Sequence, residues 1–284
     1  MSTRRTAPPP ARAAEDGTPS LAALPIYNLP NAARLTQVYH QTVRAWVMGS
    51  KHRYRGEMRR SPGIVGCAPR WIGDMPHVTF LQLLSLRAAR GLRAHGMPLH
   101  TLRRIAMRAA AASGEPVPMA TLRFRTDGAA ALLALDHARR AKADPEVMEG
   151  DDDPVEIGDW ETLFADMIDR SLFNDVDWLG GLPVRWWPMG RERSVALEPG
   201  VAGGMPHVAG TRVRTAVIAA DMRSLCGGEA AIPTVGAAHG LTARQVRDAA
   251  YYETEWLGPL RSDSSPSPEA ESAPSEHPGR SLAA

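Results

Sequence analysis

Residues 27–60 read YNLPNAARLTQVYHQTVRAWVMGSKHRYRGEMRR, and the interpretation of the rest of the chain depends on them. Asn31 is placed to cap a short helix carrying Ala32, Ala33, Arg34 and Leu35. Thr36 to Val38 make a brief turn, and a second helix is expected from about Tyr39 to Val47. Two short helices joined by roughly three or four residues form a helix-turn-helix pattern. In the second helix Val43, Trp46 and Val47 fall at i, i+3 and i+4, so they face the core and leave His40, Gln41 and Arg44 outward. Such residues suit the hydrogen bonds that a recognition helix makes to base edges and phosphates. The same pattern also fits an ordinary amphipathic helix with a solvated face. The stretch that follows favours the first reading. Ser50 to Arg60 is a basic run with a tyrosine and a glycine, as in a wing whose Lys51, Arg53 and Arg55 meet the phosphate backbone.

Charge extends this reading outward. From Tyr27 to Ser113 there are fourteen Arg and Lys residues against Glu57 and Asp74, an excess of twelve positive charges. From Asp136 to Asp177 fourteen acids meet four basic residues, an excess of ten negative charges. The overall balance of +2 hides this polarity, which suggests a polyanion-binding module joined to a different unit.

Downstream, Thr79 and Gln82 form a capping box for a helix bearing Phe80, Leu83, Leu84 and Leu86, ended by Gly96. Pro98 opens a further helix through Leu102, Ile105 and Met107 to Ser113. Leu122, Phe124 and the Asp127-Gly128 turn suggest short strands that close this domain. A helix is expected around Trp160 to Leu172. Trp178, Trp186 and Trp187 then follow among Gly and Pro residues, either as a packed connector or as anchors for a partner. The last unit begins with a strand at Val195–Leu197 and a turn at Glu198-Pro199-Gly200. Thr215 is read as the cap of a helix bearing Val217, Ile218 and Met222, which Gly227 and Gly228 end. A second helix-turn-helix follows: Pro233–His239, a turn at Gly240, and Thr242–Tyr252, with Thr242 and Gln245 as capping box. Leu241, Val246, Ala249 and Ala250 supply its apolar positions.

The expected architecture is mainly α. A disordered arm (1–24) precedes a winged helix-turn-helix domain (25–135), an acidic and aromatic connector (136–193), a small helix-turn-helix domain (194–258) and a disordered tail (259–284). The 284 residues suit about two domains. With 44% hydrophobic and 23% charged residues, the chain has the balance of a globular protein. No apolar run reaches the roughly 20 residues of a membrane span, and the N-terminal segment lacks a secretory h-region. Two distant cysteines, Cys67 and Cys226, suit a reducing cytoplasm better than a disulfide framework or a zinc site. Cys67 reads as a small semi-buried residue.

Motifs for phosphate loops, zincins and serine hydrolases are missing, so the reading is of a binding protein, not an enzyme, with no cofactor and no metal. Asp151, Asp152, Asp153 and Glu156 lack calcium-loop spacing and read as a solvated charge run. His95, His100, His207 and His239 sit near turns and need no ligand role.

Two stretches resemble known families. Tyr27 to Val47, through Ala32-Ala33-Arg34-Leu35 and Thr42-Val43-Arg44-Ala45-Trp46-Val47, resembles MerR-like winged helix-turn-helix regulators. Gly203-Gly204-Met205-Pro206-His207-Val208-Ala209-Gly210-Thr211-Arg212-Val213, with Gly240-Leu241-Thr242, is similar to domain of unknown function 433, although Met205 and His207 replace the Arg and β-branched residue frequent there. Together they resemble VapB-type antitoxins. The resemblance implies a type II antitoxin that autorepresses its operon through operator DNA and neutralises a PIN-like ribonuclease toxin. It would act as a homodimer or a toxin–antitoxin hetero-oligomer. Trp178, Trp186, Trp187, Arg212 and Arg214 are the candidate partner contacts, an inserted arginine masking the acidic nuclease site. The alternatives are a stand-alone DNA-binding regulator and a non-specific nucleic-acid-binding protein without a toxin.

Overall fold

Apolar spacing and glycine placement build the first unit around one central helix. The structure, a computed structural model, describes residues 20–54, 57–94, 96–113, 116–120 and 174–258. Arg55, the expected strands near Leu122 and Phe124, the helix near Trp160 and the tail from 259 lie outside these residues. So do the acidic run Asp151–Asp153 and nearly all of the N-terminal arm. Helix is the dominant element of the described chain, accompanied by small antiparallel sheets. None of its helices is long and apolar enough to cross a membrane.

The chain enters through β1 (Tyr27–Asn28), α1 (Leu29–Thr36) and α2 (His40–Met48). The hairpin β2 (Ser50–Tyr54) and β3 (Glu57–Ser61) follows, then a second hairpin of β4 (Arg70–Ile72) and β5 (Met75–Val78). Strand β5 lies between β1 and β4 in one sheet, pairing Tyr27 with Val78 and Ile72 with Met75. Helices α3 (Phe80–Ala94) and α4 (Leu99–Ser113) come next. The capping box of α3 is present: Gln82 N donates to Thr79 Oγ1 and Thr79 N to Gln82 Oε1. Phe80, Leu83, Leu84, Leu86 and Leu92 are fully buried, each contributing ~1.5–3 kcal/mol of burial free energy. Helix α3 is therefore the centre of the main core, which also takes in buried residues of α1, α2 and α4.

The cap of α1 differs from the sequence expectation. Asn28, not Asn31, is the N-cap, and its Oδ1 accepts the Asn31 N–H at 2.8 Å. Pro30 explains the shift: lacking an N–H, it fits the first turn, so the helix begins ahead of it.

The tryptophan segment is ordered differently too. Residues 174–186 are not an irregular connector but carry an antiparallel hairpin, β6 (Val176–Leu179) and β7 (Leu182–Trp186), with a bulge at Asp177/Trp178. Trp186 is buried in the main core beside Val176 and Leu197, so it serves the fold, not a partner surface. Its Nε1 donates to Asp175 Oδ2 at 3.0 Å, and Arg87 reaches the same oxygen at 2.6 Å. Burial pushes the Asp175 carboxyl upward and the Arg87 guanidinium downward.

The C-terminal unit starts with β8 (Val195–Ala196) and β9 (His207–Val208), paired antiparallel. Helices α5 (Thr215–Ser224), α6 (Ile232–His239) and α7 (Ala243–Tyr251) bury Ile218, Met222, Ile232, Val235, Val246 and Ala249 in a second core. Thr215 begins α5 without capping it. Its hydroxyl donates instead to Glu253 Oε1 at 2.5 Å, with Pro206 O 3.3 Å away, a tertiary use that local sequence does not reveal. Val217 faces solvent rather than the core.

Several contacts join the two units, the Arg185–Glu198 ion pair and the Trp186–Leu197 backbone pair among them. The buried Tyr27 hydroxyl donates to Gly204 O at 2.9 Å, Arg34 pairs with Glu253 at 2.5 Å, and Gln37 Nε2 donates to Trp256 O. Both cysteines are free and exposed, Cys67 included.

Candidate nucleic-acid interface

Helix α2 buries Val43, Trp46 and Val47 as its spacing requires, and this leaves His40, Gln41 and Arg44 exposed. The turn before it is tight. Gln37 adopts a left-handed conformation (φ 53°), and the buried Val38 donates its N–H to Ala33 O at 3.0 Å.

Two glycines that the sequence reading passed over set the hairpin against the end of α2. A Cβ on Gly49 (φ 79°) would stand 2.3 Å from Ser61 O, and one on Gly63 2.6 Å from Val47 O. Only glycine allows both legs of the hairpin to come this close to the helix terminus. Ile64 N donates to Trp46 O at 2.7 Å, and Arg103 Nε, from α4, donates to Pro62 O at 3.2 Å, bracing the base. The hairpin is thereby held beside α2 rather than left free.

Its register pairs Lys51 with Arg60 and Arg53 with Met58. Side chains alternate across a strand, so Lys51, Arg53 and Arg60 share one face, and Lys51 stands directly opposite Arg60. Like charges in that position destabilise a hairpin by themselves. All three are exposed, as is Arg44, and no carboxylate of the described residues pairs with them. Elsewhere arginines are neutralised within the chain: Arg34 by Glu253, Arg185 by Glu198, Arg191 by Asp177 and Arg247 by Glu229. The α2 and β2–β3 surface thus keeps an unbalanced positive field, the arrangement that attracts a polyanion. Beside it in sequence, Trp71, Ile72 and Met75 of the β4–β5 hairpin are about half exposed, a feature the sequence reading left unassigned.

The other candidate contacts are scattered. Trp178 and Trp187 are half-buried, and Trp187 Nε1 donates to Asp177 Oδ2 at 2.9 Å. Arg212 and Arg214 are exposed, Arg214 Nε donating to Ala202 O at 3.1 Å. His207 is fully buried on β9, with Nδ1 3.1 Å from Met205 O and Nε2 3.4 Å from Glu198 Oε1, so it is a core residue. Among the described residues no group of three His, Cys, Asp or Glu side chains is placed to hold a metal.

No protein-family model matches this sequence, and no curated protein is detectably similar to it. The solved structures are more informative. The chain shares its fold with Rv2018 of Mycobacterium tuberculosis. That crystal structure superposes with a TM-score of 0.58 over 80% of this chain and 97% of its own, at 20% sequence identity. The likeness extends through both units and concerns the fold alone.

Proposed function

We propose that this protein is a DNA-binding antitoxin of a type II toxin–antitoxin system. In this reading α1, the Gln37–Tyr39 turn and α2 are a MerR-like helix-turn-helix, and β2–β3 is its wing. His40, Gln41 and Arg44 read the major groove of an operator, while Lys51, Arg53 and Arg55 hold the phosphates on either side. The observation that carries this reading is the unneutralised cationic face shared by α2 and the hairpin, where Lys51 and Arg60 oppose each other. A phosphate backbone supplies the missing counter-charge.

The antitoxin assignment rests on the resemblance of residues 203–213 and 240–242 to antitoxin-associated modules. A PIN-like ribonuclease is the proposed partner, and with Trp186 built into the core its contacts fall to the exposed Arg212 and Arg214. Operator binding and autorepression then require the chain to act as a dimer or with its toxin.

The test is fluorescence anisotropy with the protein's own promoter and with random duplex at physiological salt. Replacing Arg44 and Arg53 together by Ala is expected to weaken promoter binding about 10- to 100-fold, at ~1–3 kcal/mol for loss of base and phosphate contacts. Unchanged affinity removes the surface from this role. Equal affinity for promoter and random duplex, with a steep salt slope, replaces the operator reading by non-specific binding.

A further inference from the structure

The β4–β5 hairpin carries apolar side chains on both of its faces and leaves them in solvent. Trp71, Ile72 and Met75 are 54%, 50% and 49% exposed. Ile72 stands opposite Met75 and Trp71 opposite Pro76, so one pair lies on each face. Strand β4 is also an edge, since the sheet order is β1-β5-β4. An uncovered apolar edge is a template for a further strand.

Proline placement decides which backbone groups that edge offers. Gly73 and Asp74 form a two-residue loop flanked by a hydrogen-bonded pair, Ile72 with Met75. The next pair, Trp71 with Pro76, is then of the non-bonded kind, as Pro76 requires because it has no N–H. The Trp71 N–H and C=O consequently point away from β5, toward the open edge. Pro69, whose backbone faces the same side, has no N–H to give. Trp71 thus offers both a donor and an acceptor, and an antiparallel strand centred on the same residue satisfies both at once.

Charge selects the occupant. Between residues 27 and 113 the acids are Glu57 and Asp74 alone, and Asp74 sits at the tip of this hairpin while Arg70 starts β4. Both are exposed, and neither has an ion pair among the described residues. A carboxylate at the tip opposes a phosphate backbone, so the hairpin suits a protein surface rather than a duplex. We propose that β4 pairs antiparallel with β4 of a second copy of this chain, across a two-fold axis at Trp71. The two Trp71 residues exchange N–H···O bonds and pack their indoles on one face. Ile72 lies opposite Arg70 of the other copy, and Asp74, just beyond it, stands beside that same guanidinium. The two three-stranded sheets become one continuous sheet. The inference is independent of DNA binding, although a two-fold dimer is what a palindromic operator requires.

The experiment is sedimentation velocity of the full-length protein, without DNA, over a range of concentrations. Two backbone bonds and a small apolar patch make a modest contact, so half-dimerisation is expected at roughly 1–50 μM. Arg70→Glu and Asp74→Arg each set like charges against one another twice per dimer, and each should weaken association about tenfold. Mixed in equal amounts, these two variants should associate as tightly as the parent, because both cross-pairs are again of opposite sign. Ile72→Asp should stay monomeric throughout the range. Thermal melts of all three variants should match the parent, since the changed side chains are exposed. A parent that is monomeric at the highest concentration overturns the proposal and leaves the edge to a strand of a different protein. A dimer that none of the variants weakens overturns it too, placing the contact elsewhere on the chain. Folded variants that fail to recover on mixing overturn the antiparallel pairing. No DNA is present, so each of these results leaves the α2 surface as the proposed operator contact.

Discussion

The two helix pairs of this chain, α1 with α2 and α6 with α7, solve the same problem by opposite means. In the second pair everything needed is local. Gly240 takes the left-handed position after α6, and Thr242 and Gln245 close a reciprocal capping box at the start of α7. In the first pair the left-handed position falls to Gln37, a residue that disfavours it, and Tyr39 gives α2 no side-chain cap. Compensation comes from the far end of the chain, where Trp256 O accepts from Gln37 and Glu253 pairs with Arg34. A turn set by its own residues needs nothing from outside it. One held by residues more than two hundred positions away depends on contact with the C-terminal unit.

The largest test of this contrast is at the seam. Gly204 has φ 76°, and a Cβ there would lie 2.8 Å from the buried Tyr27 hydroxyl and 2.4 Å from Ile26 Cδ1. Gly204→Ala should cost ~2–4 kcal/mol, from left-handed strain, crowding and a weakened hydrogen bond. Hydrogen exchange is expected to lose protection in α1 and α2 while α6 and α7 keep theirs. Equal loss in both pairs would show one cooperative block, and the contrast would then concern sequence signals only.

An acid titration separates two carboxylates, Asp248 and Asp175, by sign. Burial raises the Asp248 carboxyl, but hydrogen bonds from Arg193 and from Ser194 outweigh it and hold the group below its ordinary range. Its stabilising contribution is present above about pH 4, the unfolded value, and fades as pH falls through the lower folded value. Asp175 in the first unit is shifted upward by burial, so its protonation on acidification relieves a cost. Asp248 should therefore destabilise the fold as pH falls, as should Asp177, which burial raises but bonds from Arg191 and Trp187 hold low, while Asp175 opposes them. Asp248→Asn should flatten that slope and cost about 1–2 kcal/mol at neutral pH, where half-exposed Arg193 loses its charged partner. Denaturant melts of the variant from neutral to acidic pH check both. A variant with the parent's acid slope would dismiss Asp248 as its source.

How much of this was visible in sequence follows the same divide. Thr79/Gln82, Thr242/Gln245 and Gly240 act within one turn of their own position, and each does what its local pattern implies. The cap at Asn28 was hidden by a second asparagine three residues on, although Pro30 in the first turn marked the correct start. Thr215 looks like a cap locally but is buried, its hydroxyl committed to Pro206 and Glu253. The β6–β7 hairpin escaped because Pro183 and the bulge at Asp177/Trp178 break its alternation. Of the candidate interface, the exposure of His40, Gln41 and Arg44 was legible from helical spacing. The opposition of Lys51 and Arg60 needed the register, which depends on where the hairpin turns.

The smallest effects discriminate best between a self-contained turn and a tethered one. Thr242→Ala deletes half of the capping box and should cost about 1 kcal/mol, with the loss confined to the first turn of α7. Gln37→Gly does two things at once. It relieves the left-handed backbone by about 1 kcal/mol and removes a side-chain hydrogen bond worth about 0.5–1.5 kcal/mol, so the net change in stability should be close to zero. Gln37→Ala keeps the strain, loses the bond, and should be the less stable of the two by about 1 kcal/mol. Denaturant melts of the three variants give the ranking. If Gln37→Gly instead falls as far as Gln37→Ala, backbone strain contributes nothing at this position. The Trp256 carbonyl would then be what holds α1 and α2 at their angle.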